Sequence, residues 1–184
     1  MDIGKIVENM SIYRKTFGSL TPLKFPDFDT VSQKAYEGYL ISGCEFGVVT
    51  SITDSFGVTV SFEDVLKVKK ELPNRWDFIC GAITGAFVSF SFFLEEKNFE
   101  LAVNEIMKFH NETSLPLFKG NGLKVPKASA ESINCRDSII NWTKKTGVAV
   151  KSPLRSERCA RVTADVSLKT VNMIVKTVSL PQFV

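Results

Sequence analysis

The chain has 184 residues and a net charge of +3, with 44% hydrophobic and 23% charged residues. This composition excludes a disordered chain, and the length suits one domain with a sizeable core. The small charge, without a basic cluster that carries interleaved aromatic residues, argues against nucleic acid as a partner. The N-terminus lacks an apolar leader, which predicts a cytoplasmic protein; an exported form whose signal has been removed is the open alternative.

The first part of the chain is predicted to be helical. A short helix is expected near the N-terminus, before a stretch that is interrupted by prolines. A strong helix follows over residues 29–53, with Asp29 or Thr30 as its N-cap. A shorter helix begins at Ser61, where the sequence approximates a capping box, and ends before Pro73.

An uncharged apolar segment runs from Phe78 to Leu94. Its length is at the lower limit for a membrane span. It also contains hydroxyl residues and two glycines, and a helix that is apolar on all sides is typical of the centre of a soluble bundle. We therefore predict a buried helix that begins at Asn74 or Asp77 and ends at Leu94, and we expect no membrane partner.

The rest of the chain keeps a helical pattern. A helix is predicted over residues 98–115, a loop over 114–130, where proline and glycine recur, and two more helices over 132–146 and 156–177. The predicted fold class is all-α, a single-domain helical bundle of about four long helices plus short ones. The predicted organisation is a lead-in segment over residues 1–28, a four-cysteine redox domain over 29–178 and a C-terminal tail over 179–184.

The four cysteines fall on four different predicted helices: Cys44, Cys80, Cys135 and Cys159. No two of them have CxxC spacing, so spacing alone indicates no zinc ribbon, and free cysteines commonly do no more than pack. Cys135 and Cys159 are nevertheless expected in the first turn of their helices, where the helix dipole stabilises a thiolate. Arg158 and Arg161 flank Cys159 and favour the same charged form.

Small residues surround the other two cysteines. Gly81 and Gly85 are four residues apart and therefore share one face of the helix that carries Cys80. Glycine inside a helix costs up to about 1 kcal/mol relative to alanine. A close approach of another helix, or of a cofactor, to the backbone beside Cys80 would explain that cost.

These motifs resemble a known family. Gly43-Cys44, then Cys80 to Gly85, then Cys135 and Cys159 follow the order and spacing of the redox-active family that is named for its C–GCAxxG–C–C pattern. Two longer segments resemble split-Soret cytochromes c: residues 35–44, and residues 156–166 after Trp142–Gly147. The resemblance extends over about residues 29–176.

The resemblance implies a helical electron-transfer domain in which Cys44, Cys80, Cys135 and Cys159 bind an iron–sulfur cluster, and the cluster type that it suggests is 2Fe-2S. It also implies a homodimer, and it leaves the redox partner protein unidentified. Haem does not carry over, because the chain has one histidine, His110, and no CxxCH motif. Covalent haem is therefore not expected.

Two alternatives stay open at this point. The cysteines can act without metal as a dithiol/disulfide pair, with a thiol of low pKa at Cys135 or Cys159 as the attacking group. They can also form a structural four-cysteine zinc site, or simply pack, in an interaction module. Anaerobic purification with iron, sulfide and zinc analysis separates these readings.

Other polar residues give weaker signals. His110 is predicted to be a partner of its helix's C-terminal dipole rather than a ligand. Glu37, Glu45 and Asp165 are predicted to be solvated or ion-paired, and Glu37 or Glu45 can lie near the cysteines. No nucleophile–base pair is present, so no catalytic residue is predicted and a classical hydrolytic enzyme is not expected.

Overall fold

The computed structural model describes residues 2–120 and 122–178. The described residues form seven α-helices, one 3-10 turn and two isolated bridges, without a longer strand, so the predicted all-α class is confirmed. The tail predicted over residues 179–184 lies outside the described residues. The elements are α1 (Ile3–Phe17), α2 (Phe28–Ser55), α3 (Phe62–Glu71), α4 (Gly81–Phe93), the 3-10 turn (Glu96–Asn98), α5 (Phe99–Glu112), α6 (Cys135–Thr146) and α7 (Pro153–Thr177).

Side-chain caps fix where several helices begin. The Ser61 side chain accepts a hydrogen bond from the Asp64 N–H at 3.3 Å, so the predicted start of α3 is confirmed. The cap of α2 is Asp27, which accepts from the Asp29 N–H at 3.1 Å, rather than the predicted Asp29 or Thr30. Ser152 caps α7, which therefore begins one turn earlier than predicted, with Pro153 in its first turn.

Helix α4 forms the centre of the bundle. All of its residues from Ala82 to Phe93 are buried, and α1, α2, α5 and α7 pack around it. Its serines tolerate burial because they donate to the helix's own carbonyls, Ser89 to Gly85 at 2.8 Å and Ser91 to Val88 at 2.6 Å. Helix α4 has 13 residues, and none of the described helices combines the length and hydropathy needed to cross a membrane.

The predicted start of this apolar helix is wrong. Helix α4 begins at Gly81, because the residues before it leave the helical path and Ile79 forms an antiparallel bridge with Asn134. Pairing with the segment before α6 satisfies backbone groups that a longer helix would have satisfied internally. Cys80 is therefore the N-cap of α4 rather than a residue within it.

Helix α2 is not the uninterrupted helix that was predicted. Its path breaks at Ser42 and Gly43, where Gly43 has φ 85° and ψ −176°, a conformation that favours glycine. The two halves then fold against each other, since a Cβ on Gly38 would lie 2.7 Å from the Cα of Gly47. Cys44 is thus the first helical residue after the break.

Candidate metal centre

Cys80 and Cys135 lie on two short segments that are joined by backbone hydrogen bonds. The Cys80 N–H donates to the Ile133 carbonyl at 2.7 Å, and the Cys135 N–H donates to the Phe78 carbonyl at 2.8 Å. Successive side chains along each segment point to opposite faces, and paired residues point to the same face. Since Ile79 pairs with Asn134, Cys80 and Cys135 both point to the other face. Each of the two cysteines also stands at the N-terminus of a helix, α4 and α6 respectively.

Cys44 reaches the same region because α2 approaches the start of α4 closely. A Cβ on Gly81 would lie 3.0 Å from the Cβ of Cys44, and one on Gly85 would lie 2.7 Å from the Cβ of Val48. The element that these two glycines admit is therefore helix α2. A side chain at either glycine would push α2 away from α4, and Cys44 could then not be a neighbour of Cys80.

Cys159 is the seventh residue of α7, so the prediction that it lies in the first turn is wrong. Its position depends on the packing of α7 against α2. The Thr163 hydroxyl donates to the Cys159 carbonyl at 2.9 Å, and the Thr163 methyl group would be 2.9 Å from a Cβ on Gly47. One turn of α7 thereby holds Cys159 beside the second half of α2.

The electrostatics of the four thiols link them as one group. Burial is the largest cause that raises the pKa of each thiol, most strongly that of Cys44. Neighbouring thiols raise the pKa further: Cys44 is affected by all three others, and Cys135 by Cys80 and Cys159. All four are free thiols, with Cys135 exposed and Cys80 buried.

The low thiol pKa expected at Cys135 and Cys159 is wrong. Burial raises both values, and it outweighs the opposing effect of Arg158 and Arg155. Helix position therefore does not by itself produce a reactive thiolate here. A bound metal would have to supply the missing positive charge for the four groups to ionise together.

Of the remaining predicted residues, Glu45 lies beside the thiols, as was predicted for Glu37 or Glu45, since a Cβ on Gly81 would be 3.8 Å from its Cβ. Glu45 forms an ion pair with Lys69, and Glu37 accepts from Gln33 at 2.7 Å. His110 is fully buried, and burial lowers its pKa to about 4. A neutral imidazole at pH 7 cannot act as a cationic dipole partner, so the role predicted for His110 is wrong.

Asp165 is neither solvated nor paired with a cation at hydrogen-bonding distance. Its carboxylate accepts hydrogen bonds from the backbone N–H groups of Leu117 (2.7 Å) and Phe118 (2.9 Å). It thereby ties the loop before Gly120 to α7.

Sequence reasoning noted the charge of Arg158 beside Cys159 but missed its burial, and it missed the contacts of Ser138, Tyr39 and Ser156. Arg158 is buried between α6 and α7, and its Nη2 donates to the Ser138 hydroxyl at 3.0 Å. The Tyr39 hydroxyl is 3.0 Å from the Ser156 hydroxyl. Burial is the main cause that raises the pKa of Tyr39, and the nearby Cys159 and Cys44 raise it further. One signal could have identified Arg158: it shares the spacing of the buried Val162 and Val166 on the inner face of α7.

Within the described residues, no three His, Cys, Asp or Glu side chains lie close enough together to hold a single metal ion. The thiols are thus grouped more loosely than a mononuclear site requires.

Known proteins match the part of the chain that carries the four cysteines. A family model described as "Putative redox-active protein (C_GCAxxG_C_C)" matches residues 43–173, a range that includes all four cysteines. Split-Soret cytochrome c from Desulfovibrio desulfuricans (strain ATCC 27774 / DSM 6949 / MB) is 32% identical over 157 residues, which cover 78% of this chain and 56% of that protein. The chain therefore spans about half the length of this relative.

A solved structure is also similar to this one. It is described as a novel iron centre in the split-Soret cytochrome c from Desulfovibrio desulfuricans ATCC 27774. The two structures share 30% sequence identity and a TM-score of 0.71 over 87% of this chain and 72% of the other. The family match covers well over half of the chain, and this chain therefore belongs to the C_GCAxxG_C_C family of redox-active proteins.

Proposed function

We propose that this protein transfers electrons by means of an iron–sulfur cluster bound to Cys44, Cys80, Cys135 and Cys159. The observation that carries the proposal is the packing of the four elements that bear the thiols. Cys80 and Cys135 flank one backbone bridge, a Cβ on Gly81 would lie 3.0 Å from the Cβ of Cys44, and the turn that follows Cys159 packs on Gly47. The iron centre described for the similar split-Soret cytochrome c supports iron as the metal. Soft thiolates are the ligands that iron–sulfur clusters use, and four of them are the usual set.

The chemistry of the donors fits a cluster. In a 2Fe-2S centre the four thiolates are divided between two irons, so no point has to be surrounded by three protein ligands. Three of the thiols also stand at helix N-termini, where unpaired N–H groups favour negative charge. The cluster, when bound, would supply a one-electron redox couple.

The surrounding residues would control access to this couple. Cys80 and the neighbouring Ile79 and Ile83 are buried in the main hydrophobic core, which excludes water from that side. A dry, apolar surrounding and few hydrogen bonds to sulfur are known determinants of cluster potential. Cys135 is the exposed member, so electron exchange with a partner would take place on its side.

An assay of iron, acid-labile sulfide and zinc in anaerobically purified protein tests the proposal. We expect stoichiometric iron and sulfide, and visible absorption that dithionite bleaches. Each cysteine-to-serine variant should lose most of this absorption. Ser61→Ala is the matched control, because it removes the N-cap of α3 without changing a thiol.

Zinc without iron would replace the proposal with the structural alternative. A metal-free protein that also resists cluster reconstitution would contradict both. Reversible oxidation of a specific cysteine pair would then favour the dithiol alternative.

A further inference from the structure

Arg158 is a buried cation that has no carboxylate partner among the described residues. Its side chain is on α7 directly before Cys159, and the residue is only 2% exposed. Its Nη2 donates to the Ser138 hydroxyl at 3.0 Å, and its guanidinium carbon is 5.5 Å from the centre of the Trp142 ring. Its Nε is buried without a hydrogen-bond partner.

These contacts do not offset the charge. A hydroxyl group is neutral, and a guanidinium cannot escape burial by losing its proton, because arginine stays protonated in proteins. Buried charges in native proteins are normally paired with an opposite charge. Among the ion pairs of the described residues, none involves Arg158.

Two of the cysteines lie next to Arg158 or to the residue that it contacts. Ser138 is three residues after Cys135 on α6 and therefore shares its helix face, while Cys159 is adjacent in sequence. The positive charge of Arg158 lowers the pKa of Cys80, Cys135 and Cys159, against the larger effect of burial. The other titratable neighbour, His110, is neutral at pH 7.

We infer that the Arg158 guanidinium is a built-in counter-charge for an anionic four-thiolate centre and that it makes this centre easier to reduce. The inference rests on the proposed function. One-electron reduction adds one negative charge to the centre without adding a proton, so a fixed cation stabilises the reduced form more than the oxidised form. Arg158 is a positioning residue in this role, because the electron resides on the centre.

The first test is the reduction potential of three variants that carry the cluster. Arg158→Met should favour the oxidised form by about tenfold or more at a given ambient potential, a shift of about 59 mV to lower potential. Arg158→Lys keeps the charge and should stay close to wild type. Lys97→Met removes an exposed cation beyond the C-terminal end of α4, the opposite end of that helix from Cys80, and it should leave the potential unchanged. An unchanged potential in Arg158→Met would overturn the inference.

The second test needs no cluster and covers the case in which Arg158→Met cannot hold one. In cluster-free protein no metal draws the thiols into the ionised form, and the contacts that Arg158 makes with the Ser138 hydroxyl and the Trp142 ring are with neutral groups. Arg158→Met should then leave the urea midpoint unchanged or raise it, whereas Arg161→Met, which removes a buried arginine that has a carboxylate partner, should lower it. If both variants lower the midpoint equally, Arg158 is a structural residue and the inference fails while the proposed function stands. If wild type contains zinc instead of iron, the proposed function fails, and the urea comparison still decides whether Arg158 balances an anionic site.

Discussion

Two buried arginines one turn apart on α7 have different electrostatic partners. Arg161 is 5% exposed and donates to the Glu157 carboxylate at 2.6 Å and to the Leu123 carbonyl at 2.8 Å. Glu157 also accepts from the Tyr36 hydroxyl at 2.9 Å, so that both sides of this ion pair are hydrogen-bonded. Arg158 has a hydroxyl group, an aromatic ring and the neighbouring thiols instead.

The difference shows how one helix can serve stability on one side and redox chemistry on the other. We call the side of α7 that carries Glu157, Arg161 and Asp165 its acidic side. Each of these charged groups has a hydrogen-bond partner within the protein. The thiol side has a permanent positive charge and four groups that are neutral as free thiols. The Arg158 charge gains an anionic partner on this side only when the thiols are ionised, which is the state in which they bind metal.

The largest effect is expected from breaking the acidic side. Arg161→Met leaves Glu157 as an unpaired buried carboxylate, and removing one partner of a buried pair costs about 3–5 kcal/mol. Urea unfolding of the cluster-free protein measures the free energy of unfolding. Lys67→Met is the control, because the pair between Lys67 and Asp64 is exposed to solvent and should contribute little to the free energy of unfolding. Equal losses in the two variants would contradict the contrast.

The acidic side should also make stability depend on pH. Burial raises the pKa of Asp165 to about 6, although the hydrogen bonds from the backbone N–H groups of Leu117 and Phe118 lower it in part. The unfolded chain loses this proton at lower pH than the folded protein, so the contribution of Asp165 is stabilising at low pH. That contribution is lost as the pH rises through about 6, and it is on the order of 3 kcal/mol.

Asp165→Asn removes the titrating group and isolates this effect. The difference in unfolding free energy between wild type and Asp165→Asn should shift in favour of the variant as the pH is raised from about 4 to about 7. Urea titrations across this window measure it. A difference that does not vary with pH would mean that Asp165 titrates with an ordinary pKa.

A smaller effect is expected where the thiol side depends on close backbone packing. In Gly81→Ala the new methyl group would be 3.0 Å from the Cβ of Cys44, which should push Cys44 away and reduce the iron content. In Gly85→Ala the new methyl group meets Val48 instead. Both should lose about 1–3 kcal/mol of stability through overpacking. Iron loss that is no greater in Gly81→Ala than in Gly85→Ala would contradict a local effect on the site.

The smallest effect distinguishes the thiols from one another. In cluster-free protein, iodoacetamide should label Cys135 first because it is exposed, and Cys80 last because it is buried. Labelling of Cys135 should still be slower than in the denatured chain, because burial raises its pKa. Peptide mapping by mass spectrometry gives the order, and equal rates for Cys80 and Cys135 would show that the site is open to solvent.

Much of the helical framework could be predicted from the sequence. The periodicity of α5, the Ser61 cap and the proline-rich loop after Thr113 are local features, and local features determine helix type and approximate position. The bounds failed where distant residues compete for the backbone. Ile79 pairs with Asn134, which is remote in sequence, and this pairing delays the start of the predicted apolar helix until after Cys80.

The cysteines themselves and the glycines beside them are a property of the sequence, and so is the family pattern that they form. Their grouping depends on tertiary structure, because it requires a break at Gly43, a bridge before α6 and the packing of α7 on α2. The same holds for Arg158: the sequence places a positive charge next to Cys159, but only the fold buries it without a carboxylate partner among the residues that the structure describes. Burial decides the energetic cost of a charge, and burial is a property of the assembled helices rather than of any one segment.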